Sequence, residues 1–346
     1  MLPDAAPTPG TMYAPRGVWT DGQRVIAADT GNHRVLIWHD WPSVDGAPAD
    51  VVVGQPDFTS EGPNAGGAST ARGLNLPTGV SVMDGRLVIA DAWNHRVLAW
   101  DGIPEENFTE PTYVLGQADL DGVEANRGAL PSMSTLYWPF NFGVVAGMFW
   151  IADTGNRRVL GWHGDGLPDP TRPADILLGQ DDASSREDNR GTGVDGTSFR
   201  WPHSVTGDAS TMYIADAGDH RVLGWSPPPV DGERRADVVL GQQDLHAIDE
   251  FKNRPQGAQR MRFPYAITSD AERLFVADTS NNRVLIWHGW PTSGAGILAD
   301  TVLGQPDMDA NGENRWQSVE DDSLCWPYGM CLSGNVLAIA DSGNNR

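Results

Sequence analysis

The chain has 346 residues, 40% of them hydrophobic, a formal net charge of −22 and a single lysine, Lys252. Such a charge repels phosphate backbones and anionic lipid heads, so nucleic acid is excluded as a partner class. No apolar run approaches the ~18 residues of a membrane-spanning helix, and membrane insertion is not expected.

The chain opens with Pro3, Pro7 and Pro9 and lacks a basic stretch followed by an apolar one, so it does not read as a leader peptide. Proline also suits Met1 to Met12 poorly to a paired strand. From Pro15 onward one pattern recurs. Ala-Asp-x-x-Asn/Asp-x-Arg places its aspartate at Asp29, Asp91, Asp153, Asp216, Asp278 and Asp341. A proline precedes each one by 14 residues, at Pro15, Pro77, Pro139, Pro202, Pro264 and Pro327.

The second unit shows the predicted elements in order. Val80-Ser81-Val82 follows the proline, and Leu87 to Ala90 leads into the aspartate. Arg96 to Trp100 follows, and then Tyr113 to Leu115 before Gly116-Gln117. Each run is rich in β-branched or aromatic residues and bounded by Gly, Asn, Asp or Pro, as short strands are. Four strands per unit, repeated around an axis, make a propeller blade. The expectation is an all-β, six-bladed β-propeller spanning 1–346 as one domain, with repeats starting near 15, 77, 139, 202, 264 and 327.

The sixth unit reaches Arg346 without a counterpart of the Val-Leu-x-Trp and Gly-Gln strands, so its blade is expected to be incomplete. Either Met1 to Met12 covers the resulting edge loosely, or a longer natural chain completes the blade.

The strings Ala-Asp-Thr-Gly-Asn-His-Arg-Val-Leu (28–36) and Ala-Asp-Ala-Trp-Asn-His-Arg-Val-Leu (90–98) resemble the NHL repeat. The recurring Val/Leu-Gly-Gln-x-Asp, as at Val53 to Asp57 and Leu303 to Asp307, resembles a bacterial NHL subgroup with long inter-blade loops. The resemblance implies a six-bladed propeller used mostly as a binding platform, with some enzymes among related propellers.

The signature Asp/Arg pairs, Asp29/Arg34 through Asp341/Arg346, are expected to be structural. Arginine offers a rigid fork for carboxylate and carbonyls, and Asn or Gly tolerates the turn. Candidate ligand-binding residues are those directly after the prolines: Arg16, Thr78, Phe140, His203, Tyr265 and Tyr328. If the strand after each proline is innermost, they ring the central channel. The position then either forms a concave site or fills the channel with side chains.

No metal or other cofactor is expected. His33, His95 and His220 occupy equivalent turns in different blades, too far apart to share one ion, and the several channel histidines of some NHL-type lyases are missing. Asp307-x-Asp309-x-Asn311-Gly312 opens like a calcium loop, but Ser318 stands where the closing glutamate belongs. Cys325 and Cys331 are expected to be buried free thiols. Trp93 stands where other turns carry glycine, either as a partner's anchor or as a cover for its own neighbourhood.

The leading function is a non-enzymatic binding or assembly module for a protein or small molecule. The alternative is a small-molecule lyase or hydrolase in the channel. An extracellular or periplasmic setting is favoured.

Overall fold

Alternation of short apolar strands with Gly/Asn/Asp turns leaves each unit one sheet to bury, and it does so against its neighbours. The computed structural model describes residues 6–251 and 254–346, and Lys252 lies outside them. Six antiparallel sheets follow in chain order. Blade one consists of Gly17–Thr20, Val25–Asp29, Arg34–Trp38 and Val51–Val53, paired in that order. Blades two, three and five repeat this arrangement. Blade four gains a fifth strand, because Gly294–Ala295 from the blade-five loop runs parallel to Val238–Leu240.

The sixth sheet has two strands, Pro327–Ser333 and Val336–Asp341. The fold is therefore an all-β propeller of NHL-type repeats with five full blades and one partial blade. The described part of the N-terminal segment does not pair with that partial sheet. Instead, Thr8 and Thr11 carbonyls accept Arg34, and Pro9 O accepts Ala49 N–H, so 6–12 packs on blade one.

The strand after each proline is innermost, where it meets the inner strands of neighbouring blades. This close approach explains the small residue two positions after the proline. A Cβ on Gly17 would lie 1.9 Å from Thr78 O, and one on Gly329 would lie 2.4 Å from Arg16 O. Between blades lie apolar layers such as Ile26, Val35, Val51 and Leu74 of blade one and its loop with Val80, Leu87 and Leu98 of blade two.

The signature aspartates and arginines lie in these layers. In the five full blades both side chains of each pair are fully buried, at 2.7–3.0 Å. Asp153 also accepts Tyr137 N–H at 2.7 Å and Asn156 Nδ2 at 2.8 Å. Arg158 donates to the carbonyls of Ser132, Thr135 and Ala183, joining three segments. The glutamine of each Gly-Gln motif is structural too. Gln55 Nε2 bonds His33 O at 3.3 Å and Gly62 O at 2.8 Å, tying turn to loop.

Candidate functional site: the proline-side mouth of the central channel

The mouth is built by the turn after each second strand. Thr30–Asn32 forms one 3-10 turn and delivers His33 into the left-handed region, at φ 55°. His33 Nδ1 then accepts the backbone N–H of Leu76 in the next blade at 3.1 Å. His95 does the same for Trp138 at 3.1 Å, and His220 for Phe263 at 3.2 Å. Asn282 Oδ1 takes over for Trp326 at 2.9 Å, and Asn345 Oδ1 for Ala14 at 2.8 Å. This inter-blade bond accounts for the recurring histidine, which the sequence showed only as a metal candidate to be dismissed.

Each N–H donor directly precedes a signature proline, where extended backbone is the rule. Yet Leu76, Trp138, Phe263 and Trp326 have φ of 46°, 53°, 49° and 53°. For bulky side chains such a conformation costs on the order of 1–3 kcal/mol and persists only where the surroundings enforce it. The exception fits the explanation. Arg157 fills the turn of blade three and has no acceptor nitrogen. Trp201 of blade four keeps negative φ and gives its N–H to Asp216 Oδ1 at 3.1 Å.

Burial holds the His95 ring well below the usual histidine range, at about 4, which keeps Nδ1 free of a proton and able to accept. The folded value lies below the ordinary 6.5, so this stability is complete above pH 6.5 and is lost as pH falls toward about 4. His95→Asn, the residue type blades five and six already use, should preserve the bond without that loss. Urea unfolding of both proteins should coincide near neutral pH and diverge below pH 6, with the variant the more stable.

The inner strands then place the six post-proline residues around the axis. Phe140 and His203 rings lie 4.2 Å apart, His203 and Tyr265 4.4 Å, and Tyr265 and Tyr328 4.6 Å. Arg16 lies over the Tyr328 ring at 4.8 Å. Thr78 is fully buried, and its Oγ1 donates to Phe140 O at 2.6 Å. Thr78 thus ties two inner strands together rather than facing a ligand.

His203 and Phe140 are buried and fill one side of the channel; Arg16, Tyr265 and Tyr328 remain partly open. Burial pushes His203 down to about 3, and its Nδ1 lies 2.8 Å from Trp201 O, so the ring is a neutral donor there. Burial likewise raises the Tyr265 phenol.

Along the channel runs a cavity of about 180 Å³, with Arg16, Tyr265 and Tyr328 at one end and Trp19, Thr206 and Leu332 further down. No Asp or Glu lines it among the described residues. Arg16 makes no ion pair among the described residues, and its buried Nε has no hydrogen-bond partner. Around the mouth the aromatic surface continues. Trp93 packs edge-on against Trp138 at 4.7 Å, and Phe263 stacks with Trp201 at 6.2 Å. Trp93 thus covers the neighbouring blade's strained residue while staying 39% exposed.

The other candidates resolve locally. Asp307 Oδ1 accepts the N–H groups of Asp309 and Ala310 at 2.9 Å, a self-closed turn of the kind also seen at Asp57 and Asp182. Among the described residues no cluster of three His, Cys, Asp or Glu is placed to hold a metal. Both cysteines are free thiols, but only Cys325 is buried; Cys331 is half-buried beside Thr20.

The fold and channel mouth define the class: an all-β repeat propeller whose surface is compatible with protein or small-molecule partners. Residues 74–100 match the NHL repeat. It is 25% identical over 369 aligned positions to "NHL repeat-containing protein 2" of Bos taurus, covering 98% of this chain and 46% of that protein. The chain thus spans about half the length of this relative, which is vertebrate rather than bacterial.

Among solved structures it resembles the WD40 β-propeller domain of Doa1, at TM-score 0.50 and 12% identity, over 99% of this chain and 95% of that one. It also resembles XC5397 of Xanthomonas campestris, a gluconolactonase, at TM-score 0.50 and 14% identity, over 96% and 84%. These likenesses concern the fold alone. No helix among the described residues is long and apolar enough to cross a membrane.

Proposed function

We propose that the proline-side mouth of the channel binds a small anionic ligand with a flat apolar body. The observation that carries this reading is Arg16, a guanidinium without a carboxylate partner among the described residues, in a chain of charge −22. Tyr265 and Tyr328 beside it offer ring faces and hydroxyls, the mixture of apolar wall and few polar groups that suits a small-molecule site. The cavity of about 180 Å³ limits the ligand to roughly a single ring.

Benzoate is a suitable probe, with benzamide as its uncharged counterpart and acetate as its ringless one. Calorimetry should show benzoate binding more tightly than either, and Arg16→Gln should weaken it about 10- to 100-fold, the loss of a charged hydrogen bond. Equal affinity for benzamide, or an unaffected Arg16→Gln, would overturn the reading.

Hydrolysis or lysis of a small molecule in the same channel is the second reading, prompted by the fold shared with a gluconolactonase. The channel chemistry of this chain weighs the other way. An acid–base site needs convergent titratable groups, and the one histidine here is neutral, buried and engaged. Turnover of a lactone that disappears in a Tyr265→Phe/Tyr328→Phe variant would decide for catalysis. We extend the proposal to the bacterial subgroup with long Gly-Gln loops and to a periplasmic or extracellular setting. The subgroup assignment is supported by the loop motif.

A further inference from the structure

Three neighbouring blades raise an arginine at the rim of the mouth. Arg157 of blade three and Arg200 of blade four share one carboxylate, Asp188, at 2.7 and 3.6 Å, and Arg262 of blade five meets Glu250 at 2.7 Å. Together with Arg16, this arc sets four guanidinium groups against those two carboxylates, a local excess of positive charge in a chain of −22.

Between the rim and Arg16 the aromatic rings form a staircase. Arg200 lies over the Trp201 ring at 5.3 Å. Trp201 is stacked with Phe263 at 6.2 Å, Phe263 with Tyr265 at 6.5 Å, and Tyr265 with Tyr328 at 4.6 Å, with 18–26° between successive planes. Arg16 closes the series over Tyr328 at 4.8 Å. All six side chains are partly open. Phe263 holds its step at a backbone cost, with its φ of 49° enforced by the staple from His220. Further down, the channel presents half-buried side chains that form hydrogen bonds without carrying charge. They are Ser81, Asn141, Thr206 and Thr268, one from each of four blades.

We propose that the ligand of the mouth is a uronic acid residue at the end of an oligouronate chain, whose following units lie along the ring staircase toward Arg200. The proposal rests on the anion site at Arg16 and names its ligand class. A pyranose uronate combines a carboxylate, several hydroxyls and a C–H face in one ring. Arginine forms paired hydrogen bonds to a carboxylate, and the C–H face is drawn to the electron-rich face of an aromatic ring. The hydroxyls give Ser81, Asn141, Thr206 and Thr268 partners that a bare aryl acid lacks. Arginine at both ends of the staircase matches a ligand that repeats its carboxylate from unit to unit. An acidic peptide repeats the charge without the ring, and a neutral glycan repeats the ring without the charge.

The test is calorimetry on the 346-residue protein with galacturonate, trigalacturonate, the methyl ester of trigalacturonate and triglutamate. Trigalacturonate should bind about tenfold or more tighter than each of the other three. Arg200→Gln should reduce the advantage of trimer over monomer to less than about threefold, and Arg16→Gln should weaken both together. The ratio is read within each variant, so a general loss of fold does not mimic it. Equal affinity for monomer and trimer, or for trimer and methyl ester, overturns the oligouronate while benzoate binding keeps the anion site standing. Triglutamate or a thymidylate trimer binding as tightly as trigalacturonate overturns it as well. If neither benzoate nor galacturonate binds, the anion site itself falls, and the oligouronate with it.

Discussion

Asp153→Ala is expected to lower unfolding free energy by about 3–5 kcal/mol, the cost of stranding one member of a buried ion pair. The whole assembly around it depends on that carboxylate. Arg158, fully buried, loses its only anionic partner among the described residues, Tyr137 N–H loses its acceptor, and Asn156 Nδ2 keeps only Asn126 Oδ1 among the described residues. Ser132, Thr135 and Ala183 carbonyls remain to hold the guanidinium, but they cannot neutralise it. Asp153→Asn keeps an acceptor oxygen and should fall between the two. Chemical denaturation monitored by tryptophan fluorescence gives the comparison. A shift of the midpoint no larger than an exposed aspartate produces would contradict the structural role.

Asp219→Asn should act in the opposite sense and stabilise the protein. In the other five blades this position is asparagine, and Nδ2 of Asn32, Asn94, Asn156, Asn281 and Asn344 donates to the signature aspartate at 2.7–2.9 Å. Blade four places a carboxyl there, fully buried, and neither oxygen meets a hydrogen-bond donor in good geometry among the described residues. Burial and the neighbouring Asp216 charge push Asp219 up to about 7, although Arg221 lies 3.6 Å away.

The sign of the pH dependence follows from that shift. A folded value above the ordinary 3.8 means that the native state binds the extra proton between about pH 4 and 7. Stability is therefore highest at the acid end of this window and falls as pH rises through it. Protonated, Asp219 has an O–H to offer where asparagine has Nδ2–H; ionised, it has none. A shift of about three units corresponds to about 4 kcal/mol. Asp219→Asn should exceed the parent by that order at pH 8 and match it near pH 4. A constant difference between the two curves would show that Asp219 does not titrate in this range.

The repeat made the propeller legible because its fixed points, aspartate, arginine and proline, are the residues that join blades. The partial sixth blade was legible for the same reason, as a missing Val-Leu-x-Trp. The mouth was harder to read. The left-handed backbone at Trp138 and Phe263 runs against the usual bias before proline, so no local rule points to it. The bond from His95 to Trp138 crosses 43 residues and two blades, and a turn histidine gives no hint of its acceptor. The repeat spacing places the six post-proline residues at equivalent positions, but which of them lie open depends on ring stacking across the axis. Thr78 and His203 turn inward to neighbours, and Arg16 does not. Asp219 stood out only as an aspartate in an Asn/Asp slot, and its meaning required the burial.

The histidine and asparagine staples have a consequence for how such a protein diversifies. Each fixes the backbone just before the proline, using atoms of the turn and none of the residue that follows. The post-proline position is thereby presented at one place whatever its side chain, as Arg16, Phe140 and Tyr328 already illustrate. Arg16, Phe140, Tyr265 and Tyr328, each from a different blade, can then be exchanged while the framework that carries them stays unaltered; Thr78 is itself a tie between strands, and His203 follows the one turn without a staple. Specificity in this architecture is combinatorial: a new ligand asks for new side chains at these positions, not a new fold.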